Sequence, residues 1–228
     1  MARKKKICLS LTLVCVLIGT FFFAQFWNEN AEIQREYAEA QVEYENLREI
    51  ANVPADTSEC TDKLQVEGIA FDALFAINPD VVGWITVPNT NISYPIVQGT
   101  DNRHYLHHTF HGTRNASGAV FLDFRDPSNF QSVARIFAHN MQDGSMFAPL
   151  LHWQGEVFTI YTPEGALVFD VTFRGAVATS HEVFTAHHAG DEIILVTCVN
   201  GRPNQRFIIR AELRTLLRDT LSQSAINY

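Results

Sequence analysis

"DEIILVTCVNGRPNQRFIIR", residues 191–210, is the stretch from which the fold can be read. Ile193, Ile194, Leu195 and Val196 are apolar at consecutive positions, which predicts a strand buried on both faces. Val199-Asn200-Gly201-Arg202-Pro203 then turns the chain. Period-2 alternation resumes in "RFIIRAEL", with Phe207, Ile209, Ala211 and Leu213 on one face and Arg206, Ile208, Arg210 and Glu212 on the other. Seven residues separate Cys198 from Arg206, enough for a hairpin that makes their strands neighbours. Cys198 therefore falls where a buried strand emerges at a rim. Two readings stand at this point: a small buried hydrophobe, the commonest fate of a free cysteine, or a rigidly held and exposed nucleophile.

Outward from this hairpin the chain keeps the same texture. From Val81 onward it consists of short β-branched and aromatic runs punctuated by Pro, Asn and Gly, which predicts an antiparallel β-barrel or sandwich. Strands are expected at 83–87, 92–97, 119–124, 135–138, 157–162, 166–179, 192–197 and 206–213. Phe71, Leu74 and Phe75 share one face of a short helix over 71–77, and further helical patches are expected near 103–108 and 145–152. No repeat and no glycine-rich phosphate fingerprint is present, and no cofactor is called for.

The N-terminus has a different character. "MARKKK" places four cations before a 21-residue run, Ile7 to Trp27, that carries no charge. At about 1.5 Å per residue a helix of this length spans roughly 30 Å, the thickness of a bilayer's hydrocarbon core. Bulky Phe21, Phe22, Phe23, Phe26 and Trp27 at its exit argue for an uncleaved anchor rather than a signal peptide. The positive-inside rule then leaves residues 1–6 in the cytoplasm and the rest of this single-pass chain outside the cell membrane. Without the four cations, 13 basic residues face 25 acidic ones, about −12 in formal charge, which excludes nucleic acid as the main partner. Residues 28–66 are expected to form a solvated helical stalk and linker, broken at 53–62, with the catalytic domain at 67–228. Of four cysteines, Cys8 and Cys15 lie in the anchor; a bridge between Cys60 and Cys198 stays open, but a lone external thiol is lost to oxidation unless it has a use.

A thiol with an ordinary pKa of about 8.5 needs a cationic or histidine neighbour to attack as thiolate. Among nine histidines, His139 repeats the grammar of Cys198, since an apolar run, Ile136 to Ala138, releases one polar side chain. Arg206, with Arg202 and Arg210 as competitors, could donate hydrogen bonds to a developing oxyanion without losing its proton. His104, His107, His108 and His111 have i, i+3 and i, i+4 spacings that could hold a metal on a helix, yet no acidic residue nearby beyond Asp101 completes the set, and a solvated face is the reading adopted. Met141, Met146 and Phe147 fit core or groove lining better than a ligand patch.

At these residues a resemblance enters. "ILVTC" followed by "RFIIRAEL" resembles the cysteine strand and downstream arginine strand of the sortases, membrane-anchored cysteine transpeptidases of Gram-positive bacteria. "HNMQDGSMFAPL", "INPDVVGWITVPNTNISYPIVQGTDNRHYLHHTFHGT" and "SGAVFLDFRD" are similar to segments of the class B branch, so the likeness runs from about Phe71 to about Leu213. It implies a closed eight-stranded barrel with short peripheral helices, with Cys198 as nucleophile, His139 as acid/base partner and Arg206 as the oxyanion and substrate-orienting residue. It also implies substrate contacts at Thr197, Leu195, Asn140 and Met141. The implied reaction cleaves a C-terminal sorting signal of surface proteins or pilins through a Cys198 thioester and passes the acyl group to an amine of a peptidoglycan precursor or a pilin. Ile194 and Ala138 replace the family's usual threonine and glycine, and only "HEVFTAHHAG" stands where class B relatives carry a long helical insertion, so the sorting motif does not carry over. Two other readings are a non-catalytic surface module and a hydrolytic cysteine peptidase; the caspase signature is absent, although a histidine precedes the cysteine.

Overall fold

The computed structural model describes residues 2–51, 69–130, 132–185 and 192–217, with side chains described from 17 to 214 within those ranges. Helix α1, Ala2–Ile50, leads into α2, Phe71–Ile77, and then into eight strands: β1 Val81–Thr86, β2 Ser93–Val97, β3 Val120–Leu122, β4 Ala134–Phe137, β5 Val157–Thr162, β6 Gly165–Ala178, β7 Glu192–Cys198 and β8 Gln205–Leu217. The strands close into a barrel in the order β1-β2-β3-β4-β7-β8-β6-β5. The mainly β texture read from the residues and the closed eight-stranded barrel implied by the resemblance are thus what the chain adopts. Closure removes the unpaired edges that an open sheet would expose.

Alternation in the strands translates directly into packing. Ile209 and Ala211 of β8 enter the main core with Trp84, Ile85, Phe158, Phe169, Ile193 and Leu195. On the opposite face, Ile208 joins Ile194, Val196, Val133 and Val183 in a second cluster outside the barrel. β7 is buried on both sides because it divides these two clusters, and this accounts for its uninterrupted apolar run.

One departure from the antiparallel expectation matters for function. β2 pairs with β3, and β4 with β7, in parallel, whereas the other pairs are antiparallel. Parallel strands end at the same rim, so the residues following β4 and β7 emerge side by side.

Three further expectations are corrected. Residues 103–108 form turns rather than a helix, because the Tyr105 and His107 carbonyls bond to the following arm of the loop, and His108 bridges to Arg114. The patch at 145–152 shrinks to a 3₁₀ turn, Ala148–Leu151, with Pro149 in its first turn. The segment read as a solvated stalk is not free over its last four turns. Ala40, Tyr44, Leu47 and Ala51 are buried in the main core, with Tyr37 packed beside them, so the thin apolar stripe is a docking face.

The anchor expected at 7–27 is not supported by the fold: among the described residues no helix is long and apolar enough to cross a membrane. The backbone of 2–16 is helical, but its side chains lie outside the described residues. Cys60, the open disulfide partner, and the whole of the 53–62 break also lie outside them, whereas Cys198 is a free, exposed thiol.

Candidate active site

β4, β7 and β8 are consecutive in the barrel, and each delivers one residue to the same rim. β4 and β7 run in register, Ile136 opposite Leu195 and Phe137 opposite Val196. The ladder continues past β4 through the Ala138 amide, which donates to the Val196 carbonyl at 3.3 Å. Two positions beyond the Phe137–Val196 pair, one strand's chain reaches His139 and the other reaches Cys198. On the other side of β7, Cys198 lies directly opposite Arg206 of β8. The hairpin predicted between the cysteine and arginine strands is therefore present.

His139, Cys198 and Arg206 line one cavity of about 320 Å³, with Leu106, Phe121 and Phe137 supplying apolar wall. Seven residues of β7 show why the thiol is available. The first six are buried and the last, Cys198, is exposed, so the strand is clamped up to the residue that must react.

Two side chains brace the histidine and cysteine strands against each other. Buried Thr197 donates through Oγ1 to the Ala138 carbonyl at 2.9 Å. Asn140 donates through Nδ2 to the Cys198 carbonyl at 3.0 Å and to Asn200 Oδ1 at 3.2 Å. Thr197 also lines the cavity, but Leu195 is fully buried, Met141 is 7% exposed within the main core, and neither they nor Asn140 belong to the lining. The structure thus gives Leu195 and Met141 to packing and Asn140 to bracing. Met146 and Phe147 are likewise fully buried.

The ring of His139 is oriented from a distant loop. Its Nε2 lies 2.8 Å from the carbonyl oxygen of Leu106. A carbonyl only accepts, so Nε2 carries the proton and Nδ1 is the nitrogen left for chemistry in the neutral ring. Arg206 donates from Nη1 to the carbonyls of Pro203 at 3.0 Å and Gln205 at 2.8 Å. Both hydrogens of Nη1 are thereby used, and Nε and Nη2 remain as donors for a substrate oxygen. The competing arginines are engaged elsewhere, Arg210 with Glu192 at 2.6 Å and Arg202 with Gln205 in the turn.

Away from this rim, buried carboxylates of the barrel are paired. The carboxylate of Asp126 binds the Arg135 backbone amide and guanidinium, and that hydrogen bonding holds Arg135 above its ordinary pKa. Burial pushes the Asp123 carboxyl up, but hydrogen bonds from Arg125 outweigh it and the net shift is downward. Tyr105 is pushed up to about 12, chiefly by burial, while its hydroxyl donates to Asp80 at 2.8 Å.

Sequence reasoning missed Leu106 and Asn102, both of which line the cavity. Asn102 Oδ1 accepts from the Phe124 amide at 3.1 Å. No local signal points to Leu106, because what bonds His139 is its backbone carbonyl, an atom every residue carries. The histidine cluster does not converge: His104 and His108 stack at 4.3 Å, and His111 Nδ1 faces Glu43 at 2.8 Å.

A closed barrel with a cysteine, a histidine and an arginine at the ends of three adjacent strands defines a thiol site built into a sheet rim. Comparison with known proteins carries this further. The family model described as Sortase domain matches residues 85–214, more than half of the chain and all three rim residues, and the chain belongs to the sortase family. It is 32% identical over 161 residues to sortase B of Listeria monocytogenes, covering 70% of this chain and 63% of that protein. It is 26% identical over 155 residues to sortase B of Staphylococcus aureus, covering 67% of this chain and 62% of that one. The chain therefore spans under two thirds of the length of these curated relatives. Among solved structures, sortase B of Clostridium perfringens superposes with a TM-score of 0.56 at 25% identity, covering 64% of this chain and all of the other. The likeness lies with the class B branch.

Proposed function

We propose that this chain is a class B-type cysteine transpeptidase that acts on the sorting signals of exported proteins. The observation that carries the reading is the delivery of Cys198, His139 and Arg206 to one rim by neighbouring strands, around a single cavity. The Cys198 thiolate attacks the carbonyl carbon of the scissile amide, forming a C–S bond and an oxyanion that accepts hydrogen bonds from Arg206. As the oxyanion collapses, the C–N bond breaks and the His139 imidazolium gives the Nδ1 proton to the departing amine. An incoming amine, from a peptidoglycan precursor or a pilin, attacks the thioester and loses its proton to His139. The C–S bond breaks and the thiolate is restored. Covalent catalysis divides one difficult amide exchange into two easier steps.

The chain works at the outer face of the cell membrane, held by residues 7–27 with residues 1–6 inside. Supporting this, Leu17, Phe21, Phe22, Phe23, Phe26 and Trp27 expose more than half of their surface, an apolar band that calls for cover. Carbonate-resistant pelleting of the full chain, lost on deletion of residues 1–27, is the expected result; a full chain released by carbonate would refute the anchor.

To test the reaction, residues 28–228, which retain the docked part of α1, are incubated with a sorting-signal peptide library and an amine, and intact mass is followed. An acyl adduct on Cys198 that disappears on addition of amine, with formation of the amide product, is expected. If a thiol probe labels Cys198 while no peptide acylates it, the assignment fails. Adducts discharged to water alone, with amine present, would instead make the chain a hydrolytic peptidase.

A further inference from the structure

Residues 105–119 form a folded-back loop whose first arm carries Leu106, the residue that orients His139. The carbonyls on either side of Leu106 are taken up by the second arm. Ala119 donates its amide to Tyr105 at 2.9 Å, and Asn115 donates its amide to His107 at 2.9 Å. That leaves the Leu106 carbonyl facing the imidazole. Gly118, at φ +58°, lies against the same carbonyls: a Cβ there would stand 2.6 Å from the Tyr105 oxygen and 2.8 Å from the Leu106 oxygen. The position of the Leu106 carbonyl thus depends on where the second arm sits.

The second arm, in turn, is held by α1. Asn115 donates Nδ2 to the Glu36 carbonyl at 2.8 Å, and Ala116 donates its amide to Glu36 Oε2 at 3.2 Å. His111 donates its amide to Glu43 Oε1 at 3.0 Å. Fully buried Tyr44 donates its hydroxyl to the Gly118 carbonyl at 2.8 Å. Glu36, Ala40, Glu43, Tyr44 and Leu47 recur at helical spacing, so one face of α1 makes both the apolar seat and these polar clamps.

We infer that the last turns of α1 position the catalytic histidine: Tyr44 and the Glu36 and Glu43 clamps fix the Gly118 arm, the arm fixes the Leu106 carbonyl, and that carbonyl holds the His139 ring with Nδ1 toward Cys198. Tyr44 and Gly118 are positioning residues and touch no substrate. The inference rests on the proposed partnership of His139 and Cys198.

The test follows iodoacetamide alkylation of Cys198 in the full chain in detergent, read by mass on the Cys198 peptide across pH. Wild type, Tyr44→Phe, Gly118→Ala, His139→Ala and Arg48→Ala are compared, each with its melting temperature. Arg48 is the control because it also ties α1 to the barrel, through the Ser93 and Asn91 carbonyls, without contacting the loop. Loss of one hydrogen bond in the Tyr44 chain should lower alkylation at neutral pH about 2- to 5-fold and move the profile toward that of His139→Ala. Gly118→Ala should move it further, and Arg48→Ala should lose melting temperature while keeping the wild-type profile. If His139→Ala moves the profile but Tyr44→Phe and Gly118→Ala retain the wild-type one, the inference is overturned and the proposed function stands. If Arg48→Ala shifts the profile as much as Tyr44→Phe, the effect belongs to general docking and the inference fails. If His139→Ala itself matches wild type, the histidine partnership and the inference fall together.

Discussion

Cys198, His139 and Arg206 differ in what their removal should do. On the proposed mechanism, Cys198→Ala should abolish acyl-enzyme formation in the intact-mass assay, since no other described side chain at the rim is a nucleophilic thiol. Arg206→Ala, which deletes oxyanion donors, should lower kcat/KM by about 10²–10³, read with the peptide identified in the library assay; an unchanged value would remove Arg206 from the mechanism. Asp123 offers a prediction about stability. Its side chain is fully buried and paired to Arg125 at 2.7 Å. Because its folded pKa lies below the ordinary 3.8, the stabilisation is fully present above that value and is lost as pH falls through the lower, folded one. Asp123→Asn should therefore cost about 1.5–3 kcal/mol at neutral pH, and urea titrations in acid should show the gap to wild type closing below about pH 4. A gap that persisted undiminished into strong acid would show that packing, and not charge, is what Asp123 contributes. Leu195, expected as a substrate contact, is instead core: Leu195→Ala should cost about 2–5 kcal/mol of stability by the same titration.

Between elements, the decisive feature is the parallel pairing of β4 with β7. Thr197 is its brace, and Thr197→Val keeps the shape while removing the donor to the Ala138 carbonyl, which then lies buried without that partner. About 1–3 kcal/mol of stability should be lost, together with slower Cys198 alkylation; a variant as stable and reactive as wild type would show that the ladder alone sets the spacing. Strand existence was legible because apolar runs and period-2 alternation are local properties of the chain. The ends of β5 and the hairpin from β7 to β8 could be read for the same reason. The direction of the β4–β7 pair was not, because it is set by how the barrel closes across a sequence separation of 59 from Ala138 to Thr197. The histidine segment at 103–108 misled in the opposite way: its spacing fits a helix, but the Tyr105 and His107 carbonyls find partners in the returning arm of the loop.

Taken whole, the molecule is a closed barrel with a helix fastened to its outside, and residues of that helix well before residue 67 belong to the packed core. Deleting residues 1–35 should leave the melting temperature within about 2 °C, whereas deleting residues 1–51 removes Ala40, Tyr44, Leu47 and Ala51 from the core and should lower it by about 4 °C or more, as calorimetry of both truncations would show. Equal melting temperatures would mean that the helix only rests on the barrel. By itself the sequence determined the mainly β texture and the hairpin that sets Cys198 opposite Arg206, because residue type and periodicity carry those signals along a few residues of chain, whereas the candidate trio came from the family resemblance of the segments that hold it. Only the tertiary structure decided that β4 runs parallel to β7, that α1 docks, and that a Leu106 carbonyl orients His139. These depend on barrel closure and on backbone atoms that every residue shares, so no side chain announces them.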